Sequence, residues 1–360
     1  MPAAALDSLR VAVDSGRIDA VAQLLEASSL PVTHRSVRAL TSGLTGSLAV
    51  RSDPPGAEIW IERATPLATF ADRSFRRITS EPTELVAGEY AVRLTGGAGA
   101  DTLYRLARVT AGATTAFVAE WPVRDSIQGA FQRISAGRSP VDGVGIEGFL
   151  IAEREVTNAQ FQRFVSAGGY RNVALWSPTM LVDGRSVPAT EAIGRFVDRT
   201  GLLGPRDWES GRFPAAKGDH PVTGVSWYEA DAYARWAGAA LPSASQFWRA
   251  AQGDSLTIYP WGEDAAGAQY RANLEGVDTA PVGGSPLGVS RFGVMDLAGN
   301  VREWLTDTAA ATSRRVTVGG SWQDPFYMAD PVKAESFAPS YANRAIGFRV
   351  VRTLAPQPRN

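Results

Sequence analysis

A chain of 360 residues exceeds one ordinary domain, and its 44% hydrophobic and 20% charged composition reads as globular and water-soluble, with two or three domains. A net charge of −1 gives no global field to draw in nucleic acid or an anionic membrane. With no cysteine, disulfides, thiolate metal sites and thiol nucleophiles are excluded, and two histidines, His34 and His220, are too few for a histidine-rich metal site. No stretch approaches the roughly 18 consecutive apolar residues of a membrane span. The N-terminus lacks the basic and apolar regions of a secretory signal. The expected location is cytoplasmic by default, or extracytoplasmic if the chain is a piece of a larger membrane protein.

In chain order, residues 5–40 read as helical. Leu6, Leu9 and Val13 share one face, and Ile18, Val21, Leu24 and Leu25 share another, with "DSG" at Asp14 to Gly16 breaking the run into a helical hairpin. "TSGLTG" at Thr41 to Gly46 reads as a linker, so residues 1–45 form a helical segment and its connection. The period then changes to two. "SLAVRS", "DPPG" and "AEIWIE" (Ser47–Glu62) read as strand, turn and strand, followed by strands at Gly88–Leu94, Thr102–Thr110 and Thr114–Trp121. The glycines of "GGAGAD" (Gly96–Asp101) sit in a β-hairpin context with no following helix, so they mean a turn and not a phosphate loop. Residues 46–122 are thus expected to be a small all-β domain. The stretch "GSLAVRSDPPGAEIWIE" followed by "LVAGEYAVRL" resembles the PEGA domain, a small bacterial β-sandwich module that is usually non-catalytic.

From about residue 125 the character changes again. "TNAQ" (Thr157–Gln160), "SWYE" (Ser226–Glu229) and "SASQ" (Ser243–Gln246) carry the capping-box pattern of helix starts. Long Gly/Pro/Trp-rich segments separate these helices and need packing or ions to order them. Eight of the ten tryptophans lie here, and stapling irregular backbone is the better reading for them than ligand contact.

An ordered set of motifs then organises residues 125–353. It runs from "FLIAEREVTNAQFQRFV" (Phe149–Val165) and "HPVTGVSWYEADAYARWAG" (His220–Gly238) through "LPSASQFWRAA" (Leu241–Ala251) and "YPWGED" (Tyr259–Asp264). It ends with "FGVMDLAGNVREW" (Phe292–Trp304), "GGSW" (Gly319–Trp322) and "GFRVVR" (Gly347–Arg352). This set resembles the formylglycine-generating enzyme (sulfatase-modifying factor) family. The resemblance implies an α+β, C-type-lectin-like domain with few regular elements and bound calcium, beside the β sandwich and helical segment, with residues 354–360 as a tail. It implies calcium ligands at Asp296, the carbonyls of Gly299 and Val301, and Glu303, with a weaker second site at Asn273 and the Leu274 carbonyl. Hard oxygen donors from a tight loop are what calcium takes. The alternative is that Asp296 or Glu303 caps or forms an ion pair.

The chain departs from the family at its chemistry. Aligned from Gly319, the two copper-binding cysteines of the family fall at Asp324 and Ala329, and neither a carboxylate nor a methyl replaces a soft thiolate for copper(I). No copper is expected. The related iron-dependent sulfoxide synthases need three histidines. His220, in the turn "HPV", reads as structural, and His34 as a surface residue. In "LPSASQFWRAA" the usual family acids are replaced by Ala244 and Gln246, which leaves the helix and removes a substrate contact.

The leading expectation is a non-catalytic pseudoenzyme that binds a protein or small-molecule ligand at the C-terminal loop face, through Gln323, Asp324, Phe326, Tyr327, Tyr341 and Asn343. For Trp322 packing is the better reading. No nucleic acid and no membrane span are expected. Three alternatives stand beside it. One is the sensor portion of a bacterial signalling protein such as a Ser/Thr kinase. Another is a variable protein of a diversity-generating retroelement, detectable as a nearby imperfect copy of the coding segment for residues 316–351. The last is an enzyme with altered chemistry using Asp324 and Glu303 or a metal.

Overall fold

A computed structural model describes residues 3–28, 31–64, 75–96, 102–263, 265 and 267–354. The chain divides into two units, residues 1–121 and 122–360.

In the first unit the helical pattern resolves into three helices, Ala3–Asp14, Ile18–Ala27 and Arg35–Thr41. Leu9, Ala12, Val21, Ala22, Leu25 and Val37 are buried together with Val86 of a sheet strand, so the helices find their missing apolar partner within this unit. The expected linker is mostly taken up: Thr41 ends the third helix and Thr45 already opens a strand. Two sheets follow, in strand orders Thr83–Val86, Thr45–Asp53, Thr114–Glu120 and Arg76–Ile78, Glu58–Arg63, Gly88–Thr95, Thr102–Val109. Their inward positions, among them Leu48, Val50, Ile59, Ile61, Val92 and Leu94, form one core. "DPPG" is a turn, with Gly56 at φ +111°, but it carries the chain from one sheet to the other and closes no hairpin. The Gly96–Asp101 hairpin is real in register, since Thr95 faces Thr102, while Gly97–Asp101 lie outside the described residues.

In the second unit all three capping boxes form. Thr157, Ser226 and Ser243 each accept the backbone N–H three residues on, and Gln160, Glu229 and Gln246 reach back. They start the helices Asn158–Ser166, Trp227–Trp236 and Ala244–Gln252. Two four-stranded sheets frame them, ordered Val351–Thr353, Phe149–Ala152, Gly129–Ile134, Val123–Asp125 and Ala334–Phe337, Arg315–Val318, Arg302–Thr308, Ile346–Gly347. The long segments are held by indoles. Trp208 Nε1 donates to Asn158 Oδ1 (3.0 Å), Trp227 to Leu305 O (2.8 Å), Trp248 to Pro331 O (3.0 Å) and Trp304 to Val225 O (3.1 Å). Each bond joins segments at least 50 residues apart in sequence, and that is how irregular backbone is fixed without regular ladders. Among the described residues no helix is long and apolar enough to cross a membrane.

Candidate functional site

The segment Asp296–Trp304 is a tight loop running into a strand. Asp296, Gly299 and Asn300 all have positive φ, 55°, 76° and 59°. The Asn300 N–H donates to the Asn273 carbonyl at 2.8 Å, and a Cβ on Gly299 would lie 2.6 Å from that same oxygen, so only glycine fits there. The Asn300 side chain then knits three segments. Its Oδ1 accepts from the Ala280 N–H and Asn273 Nδ2, and its Nδ2 donates to Glu155 Oε2 at 3.2 Å.

Behind this loop lies a charge cluster. Arg349 and Glu303 are both fully buried, and the guanidinium takes both carboxylate oxygens at 2.6 Å. Arg349 also donates to the Met295 and Asp296 carbonyls at 2.9 and 3.1 Å. Asp296 Oδ2 accepts the Gly283 N–H. Glu155 Oε1, also buried, has no hydrogen-bond partner among the described residues. Burial, and then the charges of Asp296 and Glu303, hold the Glu155 carboxyl well above the usual range. Burial raises Asp296 and Glu303 too, against the pull of the Gly283 N–H on the first and of Arg349 on the second.

Three carboxyls here face one guanidinium, and all the donors are oxygen, which suits a hard cation. The arrangement departs from the implied ligand set, because Arg349 occupies both oxygens of Glu303. Asp296 and Glu155 are the two remaining carboxyls, and burial holds both above the usual range. Among the described residues no group of three or more His, Cys, Asp or Glu is arranged to hold a metal ion. Asn273, of the weaker implied site, donates from Nδ2 to the Asp278 carbonyl at 3.0 Å and to Asn300 Oδ1, and Leu274 is buried.

Asp324 and Ala329, where the resemblance implies the family cysteines, are both buried. Asp324 is buried, pairs with Arg302 Nη2 at 2.5 Å, and accepts both the backbone N–H and the hydroxyl of Ser321 at 2.7 Å. Arg302 donates to the Ser321 hydroxyl as well and pairs with Glu335. Ala329 is 0% exposed. Asp324 therefore faces inward, away from the open rim where a ligand contact was expected, because Arg302 of the neighbouring strand neutralises it there.

The other expected contacts separate into two patches. Gln323 is exposed, Phe326 is half-buried and Tyr327 is 68% exposed at the head of the short turn Phe326–Ala329. Beside them runs the loop carrying Val277, 93% exposed, tied on by Gly276 N to Trp322 O (2.6 Å) and Glu275 N to Asp324 O (3.0 Å). Val277 had no signal in sequence, where it is one apolar residue in a polar loop. Tyr341 lies apart, stacked on Phe337 at 5.1 Å, with its hydroxyl accepting from Asn343 Nδ2 at 3.3 Å. Trp322 is buried under the Arg344 guanidinium, 4.8 Å away.

His220 Nδ1 meets the Thr279 hydroxyl at 2.9 Å in a turn, and His34 lies exposed at the N-cap of a helix in the other unit. At the helix starting at Ala244 the acids missing from its own sequence are supplied from elsewhere. Asp307 accepts the Ala244 N–H at 2.7 Å, and Asp142 accepts the Ser245 hydroxyl at 2.6 Å. Asp264 lies outside the described residues.

The comparisons with known proteins agree with this frame. The chain is 36% identical over 181 residues to a hercynine oxygenase of Mycobacterium tuberculosis, covering 46% of this chain and 39% of that protein. It is 33% identical over 204 residues to the formylglycine-generating enzyme of the same organism, covering 47% of this chain and 66% of that one. It is 32% identical over 169 residues to the serine/threonine-protein kinase Pkn1 of Chlamydia trachomatis, covering 47% of this chain and 24% of the kinase. The chain thus spans less than two thirds of each of these relatives. The model of the sulfatase-modifying factor enzyme 1-like domain matches residues 110–354, and the chain belongs to that family.

Proposed function

We propose that this protein is a non-catalytic member of its family, which binds a protein or small-molecule ligand on the face formed by Gln323, Phe326, Tyr327 and the neighbouring Val277. The observation that carries this reading is the buried Arg302–Asp324–Ser321 lock at the first cysteine position, in a chain without any cysteine. A carboxylate committed to a guanidinium is neither a thiol nor an open ligand. The exposed Tyr327 and Val277 beside it give a rigid scaffold an aromatic and an aliphatic contact, the kind of anchor that recognition loops use.

Copper(I) titrated into the protein against a chromogenic chelator is expected to stay with the chelator. Stoichiometric transfer to the protein would overturn the reading. Calcium enters as a stabiliser, held by Asp296 with the Gly299 and Val301 carbonyls and by Glu155, in place of the implied Glu303. Binding to the folded state alone raises the melting midpoint, so adding calcium after chelation is expected to raise it by several degrees at millimolar ion. An unchanged midpoint removes calcium from the account.

The likeness to a kinase supports a second reading, in which this domain is the recognition part of a longer signalling chain. The two-sheet build of residues 45–120 and its "PPGAE" turn support a PEGA-like module in front of it. Both readings keep the same binding face.

A further inference from the structure

One buried carboxyl takes no part in the cluster or the rim described above. Glu229 is 2% exposed; its Oε2 accepts the Ser226 N–H at 2.7 Å and its Oε1 accepts the Tyr170 hydroxyl at 2.5 Å. A carboxylate has about four acceptor positions, so two bonds leave capacity for another donor. Glu229 also forms part of the wall of a cavity of about 430 Å³, inside the roughly 300–1,000 Å³ range of small-molecule sites.

The rest of that wall includes Arg195, Arg206, Asp183, Phe196 and Tyr341. Arg195 is committed, to Glu191 at 3.0 Å and Asp183 at 3.6 Å. Arg206 has no side-chain partner among the described residues; its backbone N–H bonds the Gly224 carbonyl, which fixes where the side chain starts. The wall segment before it is closed by Asp198, whose carboxylate accepts the N–H groups of Thr200 (2.8 Å), Leu202 (3.0 Å) and Gly211 (2.7 Å). The wall therefore brings together one uncommitted guanidinium, the buried acid Glu229 and two aromatic residues on preformed backbone. Preformed walls lower the ordering cost of binding.

We propose that this cavity binds a small zwitterion of free amino-acid size, its carboxylate on Arg206 and its ammonium on Glu229. A plain anion would satisfy Arg206 and set a second negative charge beside Glu229. A plain amine would leave the guanidinium unpaired. An α-amino acid answers both groups at once, and Phe196 and Tyr341 offer apolar surface to its side chain. Burial, against the Tyr170 and Ser226 hydrogen bonds, holds the Glu229 carboxyl up at about 7. An ammonium ligand needs it ionised, so affinity rises as pH goes from 6 to 8. This site shares no residue with the face proposed above and stands without it.

The test is a thermal-shift and NMR titration with the common α-amino acids one at a time, and with acetate and methylammonium as half-probes. At least one amino acid is expected to raise the midpoint saturably at millimolar concentration, with both half-probes at least tenfold weaker. Arg206→Gln, on an exposed residue, is expected to cut that affinity tenfold or more while leaving the melting curve of the free protein unchanged. Glu229→Gln keeps the capping acceptor and is expected to weaken binding and abolish its rise with pH. Failure of every amino acid, equal binding of acetate, or undiminished binding by the Arg206 variant would each overturn the proposal.

Discussion

Replacing Arg349 with methionine lowers the stability of the C-terminal unit by about 3–5 kcal/mol, read from urea unfolding. That is the usual cost of removing one partner from a buried ion pair. Arg349 and Glu303 are both fully buried, so no water reaches the carboxylate left behind. Arg349 also holds the carbonyls of Met295 and Asp296, which its loss would leave without their donor. Adding Glu303→Gln to the methionine variant recovers part of the loss, because the second change removes the stranded charge. A loss under about 1 kcal/mol would mean that the pair is not formed in solution.

The pH dependence of stability carries a second large effect, through Glu229. Its folded-state carboxyl titrates at about 7 against an ordinary 4.5. Between these values the folded protein keeps a proton that the unfolded chain has released. The stabilisation is therefore fully present below about pH 4.5 and is lost as pH rises through about 7. At roughly 1.4 kcal/mol per pH unit, the window is worth about 3 kcal/mol. Asp183, Arg195 and Arg206 share the cavity wall with Glu229, while Tyr170 and Ser226 bond it directly. Glu229→Gln keeps an oxygen for the Ser226 N–H and turns an amide N–H onto the Tyr170 hydroxyl oxygen, without a titration. Urea unfolding at pH 5 and pH 8 is expected to show wild type losing about 2.5 kcal/mol more than the variant across the interval. Parallel profiles would place Glu229 in contact with water.

What the sequence made legible was local. The three capping boxes were readable because cap and partner lie three residues apart, and the strands of the first unit because their apolar positions alternate. Pairing was not local. "DPPG" announces a turn, but nothing in those four residues says that the flanking strands belong to different sheets. Residues 35–40 fell inside the expected helical segment, but the separate third helix, Arg35–Thr41, buries only Val37 and Thr41, too few positions to show a period of its own.

The site followed the same division. Motif order puts Asp324 where the resemblance implies a cysteine, yet its burial goes with Arg302, 22 residues earlier, and with Ser321. Glu303 was visible as an acid in a glycine loop, whereas its partner Arg349 lies 46 residues on, inside "GFRVVR". Glu155 gave no sign beyond one acid at the end of an apolar stretch, and its unpartnered oxygen emerges only when Asn300 and Asp296 are folded around it.

The central claim is that the family's oxidative site has become structure. Its most direct test is aerobic incubation of the protein with copper and a cysteine-containing sulfatase-derived peptide, followed by mass spectrometry of the peptide. The lock at Asp324 predicts unmodified cysteine, with no aldehyde above the copper-only control. Aldehyde formed in proportion to protein concentration would contradict it.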